Sequence, residues 1–219
     1  MRFLNVVVMT WFLGTMGGCK DKEDNKDDKD NDPIREEEIG DLGSGGGHKN
    51  TKGIVGVSHD VTLPSGKIVK VQGSIFSGGK KPGDFGWMIE QPAYSKTLFV
   101  YNDNQEQFLA FVNNDKTSGC SVGGGNAIIR PFQCMNPPRA LGVPTGHHGT
   151  GYSSLTPYVK DLIDDSIKRI RETVIAHGYE TVLFSQNNRK QTLGSGIFKV
   201  GEDVRDYIFK SLLRLEPIN

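Results

Sequence analysis

The sequence is short of three things, and each shortage removes a class of function. Charge of one sign comes first: 26 Lys and Arg balance 26 Asp and Glu, for a formal net charge of zero over 219 residues. No basic stripe and no basic-aromatic interleaving occurs, so nucleic acid is not an expected partner. Long apolar runs come second. The N-terminal run from Phe3 to Leu13 is broken by Asn5 and Thr10 and is too short to span a bilayer comfortably as a mature helix. Cysteine comes third, with Cys19, Cys120 and Cys134 alone. No Cys, His or carboxylate falls at ligand spacing from His147-His148, and adjacent loop residues rarely hold one ion, so neither a metal nor a cofactor is implied. The acidic stretch after Cys19 lacks the glycine and terminal Glu of a calcium loop. A Ser-centred nucleophile elbow and a Walker loop are missing too. With no carboxylate pair placed for it, an exported glycan or peptidoglycan enzyme ranks last among the functions considered.

What is present begins with export signals. In Met1–Gly18, Arg2 supplies a short positive start, the apolar run follows, and Gly17-Gly18 sit directly before Cys19. This resembles the lipobox of bacterial lipoproteins, in which small residues precede a cysteine that is acylated and becomes the new N-terminus; Met16 stands where that family most often has Leu. The resemblance implies a signal peptide over 1–18, lipidation at Cys19 and an exported protein held at the membrane of a bacterial cell envelope. An ordinary secretory signal, an uncleaved anchor and a hydrophobic start with no targeting role remain as alternatives. Lys20–Asp32 contains no apolar residue and cannot offset the entropy of ordering, and Gly40–Gly47 adds a flexible glycine-serine stretch. Residues 19–50 therefore read as a lipidated cysteine on a disordered acidic tether, and 51–219 as a single domain. Because Lys20–Asp41 is strongly acidic, that domain is mildly basic, which suits an anionic small ligand or simple solubility.

Roughly 165–170 residues suffice to bury a core without staples. Ile54–Leu63 and Lys67–Phe76 partly alternate apolar and polar residues around Pro64-Ser65-Gly66, the pattern of a β-hairpin. Thr97–Tyr101, Ala140–Val143 and Thr181–Ser185 are short apolar runs that suit buried strands. Gln105–Val112 suits a short helix. Thr156 and Pro157 mark the start of a longer one, Val159, Leu162, Ile163, Ile167, Ile170 and Val174 form its apolar face, and Gly178 ends it. Asp203–Leu215 reads as a final amphipathic helix. The alternation of strand and helix predicts an α/β domain: three layers, with a mixed, partly parallel sheet carrying helices on its faces and a hairpin before it. Ligands of such sheets bind beyond the carboxyl ends of the strands. The loops to watch follow Tyr101, precede Asn126, and follow Val143 and Ser185.

Gly123-Gly124-Gly125-Asn126 lets backbone N–H groups approach a phosphate at no steric cost, or is a plain turn. Gly194-Ser195-Gly196-Ile197-Phe198 lies between the last strand and the final helix, where an anion cradle and an ordinary connection are equally open. Gly146–Tyr152 is a third polar glycine loop. Asn102, Asp103 and Asn104 are placed for a ligand's hydroxyls, or simply end a strand. Asp103 and His147 are the candidate general bases. Cys120 and Cys134 either form a disulfide closing a short loop or stay free thiols.

The order LFVYNDN (Leu98–Asn104), GGGNAII (Gly123–Ile129), TVLFS (Thr181–Ser185) and GSGIF (Gly194–Phe198) resembles the macro domain, the family that binds ADP-ribose, over Thr97–Leu215. The resemblance implies that Asn102 and Asn104 face the distal ribose. It also implies that Gly124, Gly125, Ser195, Gly196 and Ile197 cradle the diphosphate and that Phe198 packs beside the sugar. The family's adenine-selecting Asp has its nearest candidate in Asp84. The sequence departs from the family in having one residue between Asn102 and Asn104, where two are usual, and in the apparent insertion Gln186–Thr192. The implied partner is a nucleotide-type small molecule that is bound or hydrolysed. The competing expectation is a surface lipoprotein that acts by contact with an unidentified protein, in immunity, exclusion or adhesion.

Overall fold

A strand segment that is apolar on both faces needs a covering layer on each side. In Thr97–Asn104, Leu98 and Val100 face one way and Phe99 and Tyr101 the other, and all four are buried. The structure, a computed structural model, describes residues 55–187, 192–196 and 198–218, which lie within the unit His48–Asn219. The expected leader, Cys19, the acidic tether and Ile197 fall outside the described residues.

The elements run β1 (Val55–Thr62), β2 (Ile68–Ser74), α1 (Phe85–Met88), a 3-10 turn (Pro92–Tyr94), β3 (Thr97–Asn104), α2 (Gln105–Val112) and α3 (Lys116–Gly119). A 3-10 segment (Gly125–Cys134), β4 (Ala140–His147), β5 (Thr150–Gly151), α4 (Pro157–His177), β6 (Thr181–Ser185) and α5 (Glu202–Arg214) follow. The sheet order is β1-β2-β6-β3-β4-β5. The four inner strands β2, β6, β3 and β4 are parallel, and the edge strands β1 and β5 are antiparallel to their neighbours. The hairpin turns at Gly66, whose φ of 79° favours glycine.

One face carries Leu98, Val100, Leu141, Val143, Val182 and Phe184 against the apolar sides of α4 and α5. The other carries Phe99, Tyr101, Ala140 and Leu183 against α1 and Ile129 of the 3-10 segment, with Phe85 meeting Phe99 edge-on at 5.3 Å between ring centroids. The result is the three-layer α/β domain with a mixed sheet that the strand and helix pattern predicts. The signals for α4 act as read: Thr156 Oγ1 accepts from Val159 N at 3.3 Å, Pro157 opens the helix, and Gly178 closes it at φ 67°.

Two boundaries differ from expectation. β3 continues through Asn102-Asp103-Asn104, and β4 continues through Pro144-Thr145-Gly146 to His147. The two extensions pair with each other, Asp103 with Pro144 and Asn104 with Gly146. Turn-forming residue types therefore stay extended because a neighbouring strand takes up their backbone groups. The structure also adds α1, α3 and β5, which are too short to carry a periodic signal.

Ile167 is fully buried between α4 and the sheet. Ile167→Ala should destabilise the domain by about 2–5 kcal/mol, since the rigid sheet cannot collapse into the cavity. Urea denaturation of wild type and variant measures the difference.

Candidate ligand cleft

Because the inner strands are parallel, β2, β6, β3 and β4 all finish at one edge of the sheet. A cleft of about 620 Å³ opens there, lined by Phe76 just beyond β2, Ser185 of β6, Asn102–Asn104 of β3 and Thr145 of β4. That volume lies in the usual range for a small-molecule site. One wall is Ser121–Ile128, which holds Gly123, Gly124, Gly125 and Asn126; the opposing wall is Gly194, Ser195, Gly196, Phe198 and Val200. Gly83–Gly86 adds to the lining. Eleven residues expected at a site thus line one cavity: Asn102, Asp103, Asn104, Gly123, Gly124, Gly125, Asn126, Gly194, Ser195, Gly196 and Phe198.

The walls are tied to β3 by side chains. Asn102 Nδ2 donates to the Gly194 carbonyl at 2.6 Å, and its backbone N–H donates to Asn126 Oδ1 at 3.3 Å. Asn102 is therefore a strut between the two walls. Behind the first wall, the buried Arg130 donates from Nε (2.9 Å) and Nη2 (2.5 Å) to Asp103 Oδ1, and from Nη1 to the Ser121 carbonyl at 2.9 Å. The guanidinium lies so close beneath Gly123 that a Cβ there would stand 2.9 Å from both terminal nitrogens. Tyr101 Oη donates to Gln133 Oε1 at 2.8 Å, and Gln133 Nε2 in turn donates to the Gly119 carbonyl. Cys120 and Cys134 are joined as a disulfide with Cα atoms 6.0 Å apart, so the glycine wall is a loop closed at its neck.

The structure separates the two candidate bases. Asp103 is 3% exposed, and its carboxylate is enclosed by Arg130, the Asn104 N–H (2.9 Å) and Tyr101 Oη (3.3 Å). Burial pushes its carboxyl above the ordinary value, with Arg130 pulling the other way. An acid so enclosed holds the wall and has no open oxygen to take a ligand's proton. Burial, with the Asp103 charge alongside, likewise raises the Tyr101 phenol far above its usual range, so it stays a neutral donor. His147 lies outside the cleft lining, exposed at the end of β4, where its ring packs near His148 and Tyr152.

Asp84 joins the cleft although it sits far before β3 in sequence. It caps α1, with Oδ1 accepting from Gly86 N (3.1 Å) and Trp87 N (3.4 Å) and Oδ2 from Lys80 N (2.8 Å). Gly83, at φ 105°, makes this possible: its missing Cβ would lie 2.3 Å from the Ile75 carbonyl. Sequence reasoning missed Arg130, Gln107, Thr145 and the rim residues Phe76, Val122 and Ile128, of which Phe76 and Val122 are each 66% exposed. A large exposed ring at a cavity mouth was not visible in a segment that reads as the end of a hairpin. Among the described lining residues Arg130 is the one cation, and it is matched by Asp103. An anion in this cleft would rely on backbone N–H groups of the glycine walls. Comparison of the chain with known protein families, with curated proteins and with solved structures returned no match.

Arg130→Met should cost about 3–5 kcal/mol at neutral pH, because it strands a buried carboxylate. In that variant the folded-state pKa of Asp103 stands above the unfolded value. The folded protein then holds the extra proton, and stability falls as pH rises through that window. Urea titrations at neutral and mildly acidic pH should therefore show the variant regaining stability on acidification relative to wild type.

Proposed function

We propose that this chain is a membrane-tethered lipoprotein whose α/β domain binds an ADP-ribose-like, phosphate-bearing nucleotide, as a distant relative or architectural analogue of macro domains. The observation that carries the reading is convergence. Three separate segments, the β3 end Asn102–Asn104, the loop Gly123–Asn126, and Gly194–Gly196 with Phe198, meet around one cleft at the carboxyl ends of parallel strands. These are segments that the macro-domain resemblance assigns to ribose and diphosphate. Two glycine walls facing one cavity suit an anion held by main-chain donors, and the apolar rim of Phe76, Val122 and Ile128 suits the flat face of a base. Asp84, which lines the same cleft, is the candidate for the adenine-selecting carboxylate that the resemblance implies. The reading is one of binding: Asp103 is enclosed and His147 stands outside the lining. A pure protein-contact role would leave this built cavity without a purpose.

Calorimetric titration of the full chain with ADP-ribose tests the reading, and no heat or thermal shift at millimolar ligand would sink it. The space beside Gly196 is open: among the described residues other than its chain neighbours, no atom lies within 4 Å of where a Cβ would stand. Gly196→Val should therefore fold with unchanged Tm while weakening ADP-ribose at least about tenfold by filling the ligand's volume.

Tethering rests on Gly17-Gly18-Cys19. Cys19→Ser should abolish incorporation of labelled fatty acid and release the protein from the membrane fraction. Continued labelling of that variant would remove the lipoprotein assignment.

A further inference from the structure

The wall from Ser121 to Arg130 is held at its two ends by different means. At the far end Arg130 grips Asp103, and Asn126 Oδ1 accepts from Asn102 N, so that end is tied to β3. At the near end, the hydrogen bonds of Ser121–Gly125 run to Ser118, Ala127 and Arg130, which means to α3 and to the loop itself. α3 has four residues, too few to hold a helix unaided. The Cys120–Cys134 bond closes the neck between α3 and the 3-10 segment, with the hydrogen bond from Gln133 Nε2 to the Gly119 carbonyl beside it. Past the neck come three successive glycines, the residue type that regains most freedom when a constraint is lifted.

A second, smaller cavity of about 180 Å³ meets the same neck. Phe111, Asn114, Asp115, Lys116, Gln133 and Cys134 line it, and none of them lines the ligand cleft. Cys134 is half-buried, so this cavity gives a small molecule a route to its sulfur. Lys116 sets a cation beside that route, where an incoming thiolate gains from it; Asp115, whose Oδ1 caps α3, offsets part of that charge.

We propose that the Cys120–Cys134 bond is a thiol-sensitive latch: a small thiol entering the second cavity opens it, and opening it loosens the glycine wall and weakens the ligand cleft. The thiolate attacks Cys134 Sγ. A mixed disulfide forms there, and Cys120 leaves as a thiolate. A second thiolate attacks the small-molecule sulfur of that mixed disulfide and frees Cys134. Two thiols are oxidised to one disulfide, the protein's disulfide is reduced, and the two protons end on the cysteines. The fold survives, because both apolar clusters are complete without either cysteine. The link runs both ways: a ligand that needs the wall in place makes the bond harder to open.

The test compares the full chain oxidised, reduced with dithiothreitol and reoxidised. Alkylation mapped by mass spectrometry should find Cys120 and Cys134 both freed in native buffer, with thermal unfolding still cooperative. Deuterium exchange over residues 119–126 should quicken about tenfold or more on reduction, stay level in β3 and α4, and return on reoxidation. The last arm rests on the nucleotide reading: reduction should weaken ADP-ribose by about tenfold, an ordinary size for coupled sites, and bound ADP-ribose should slow the reduction. Cys120→Ser combined with Cys134→Ser should match the reduced form and ignore dithiothreitol; reduced wild type carries the test should that variant fold poorly. Cysteines that react only after global unfolding, equal exchange in the two forms, or equal ADP-ribose affinity in the two forms overturns the latch. An oxidised chain that binds no ADP-ribose, yet loosens at residues 119–126 on reduction, sinks the nucleotide reading and leaves the latch standing.

Discussion

The candidate site depends on one buried ion pair. Asp103 is the last inward-facing residue of β3 before α2, and Arg130 comes from the 3-10 segment on the far side of the glycine wall. Their contact turns a loop with three successive glycines into a wall with a defined place. Glycine alone would leave that segment costly to order. A guanidinium shared between a carboxylate and the Ser121 carbonyl fixes its near end, and Gln133 and the disulfide fix its neck. Two charges so deeply buried are weak evidence for added stability, but breaking one is expensive, and that asymmetry enforces a single arrangement. The same carboxylate also accepts the Asn104 N–H, and the N-cap of α2 forms without a side-chain hydrogen bond.

The second constraint is direction. Four parallel strands place four carboxyl ends on one edge, and each contributes residues to the cleft. The edge strands β1 and β5 run antiparallel and add little to the lining. The hairpin still matters, because Gln186 reaches across it. Its Oε1 accepts from Val57 N at 2.7 Å and lies over Gly56 and Gly73, where any Cβ would collide with it. From Gln186 the chain turns back through a bridge to Leu193 and delivers Gly194 to Asn102. Residues that read in sequence as an insertion thus begin with the anchor of the second wall.

Much of the frame was legible residue by residue. The strand at Thr181–Ser185 and the long helix between Thr156 and Gly178 were marked by local signals that tertiary structure had no reason to override. The strand ends at Asn104 and His147 were not, because Asn, Asp, Pro and Gly prefer turns until a neighbouring strand accepts their backbone groups, and that neighbour is far away in sequence. The cleft followed the same division. Glycine loops and the asparagine stretch announced themselves by composition. Arg130 did not, since one arginine in an apolar stretch carries no sign of the carboxylate it will meet.

By itself, then, the sequence determined what depends on neighbours a few residues away: alternation, helical spacing, caps and stops. Tertiary structure alone decided the chemistry of the side chains. Asp103 read as a candidate base until burial and a guanidinium enclosed it, and His147, the other candidate, until β4 carried it outside the cavity. Asn104 read as a strand-ending residue until pairing with β4 kept it extended and its N–H donated to the Asp103 carboxylate. The physical reason is common to all of them. A polar side chain's role is set by which groups compete for its hydrogen bonds and by how much water reaches it, and both are properties of the packed molecule.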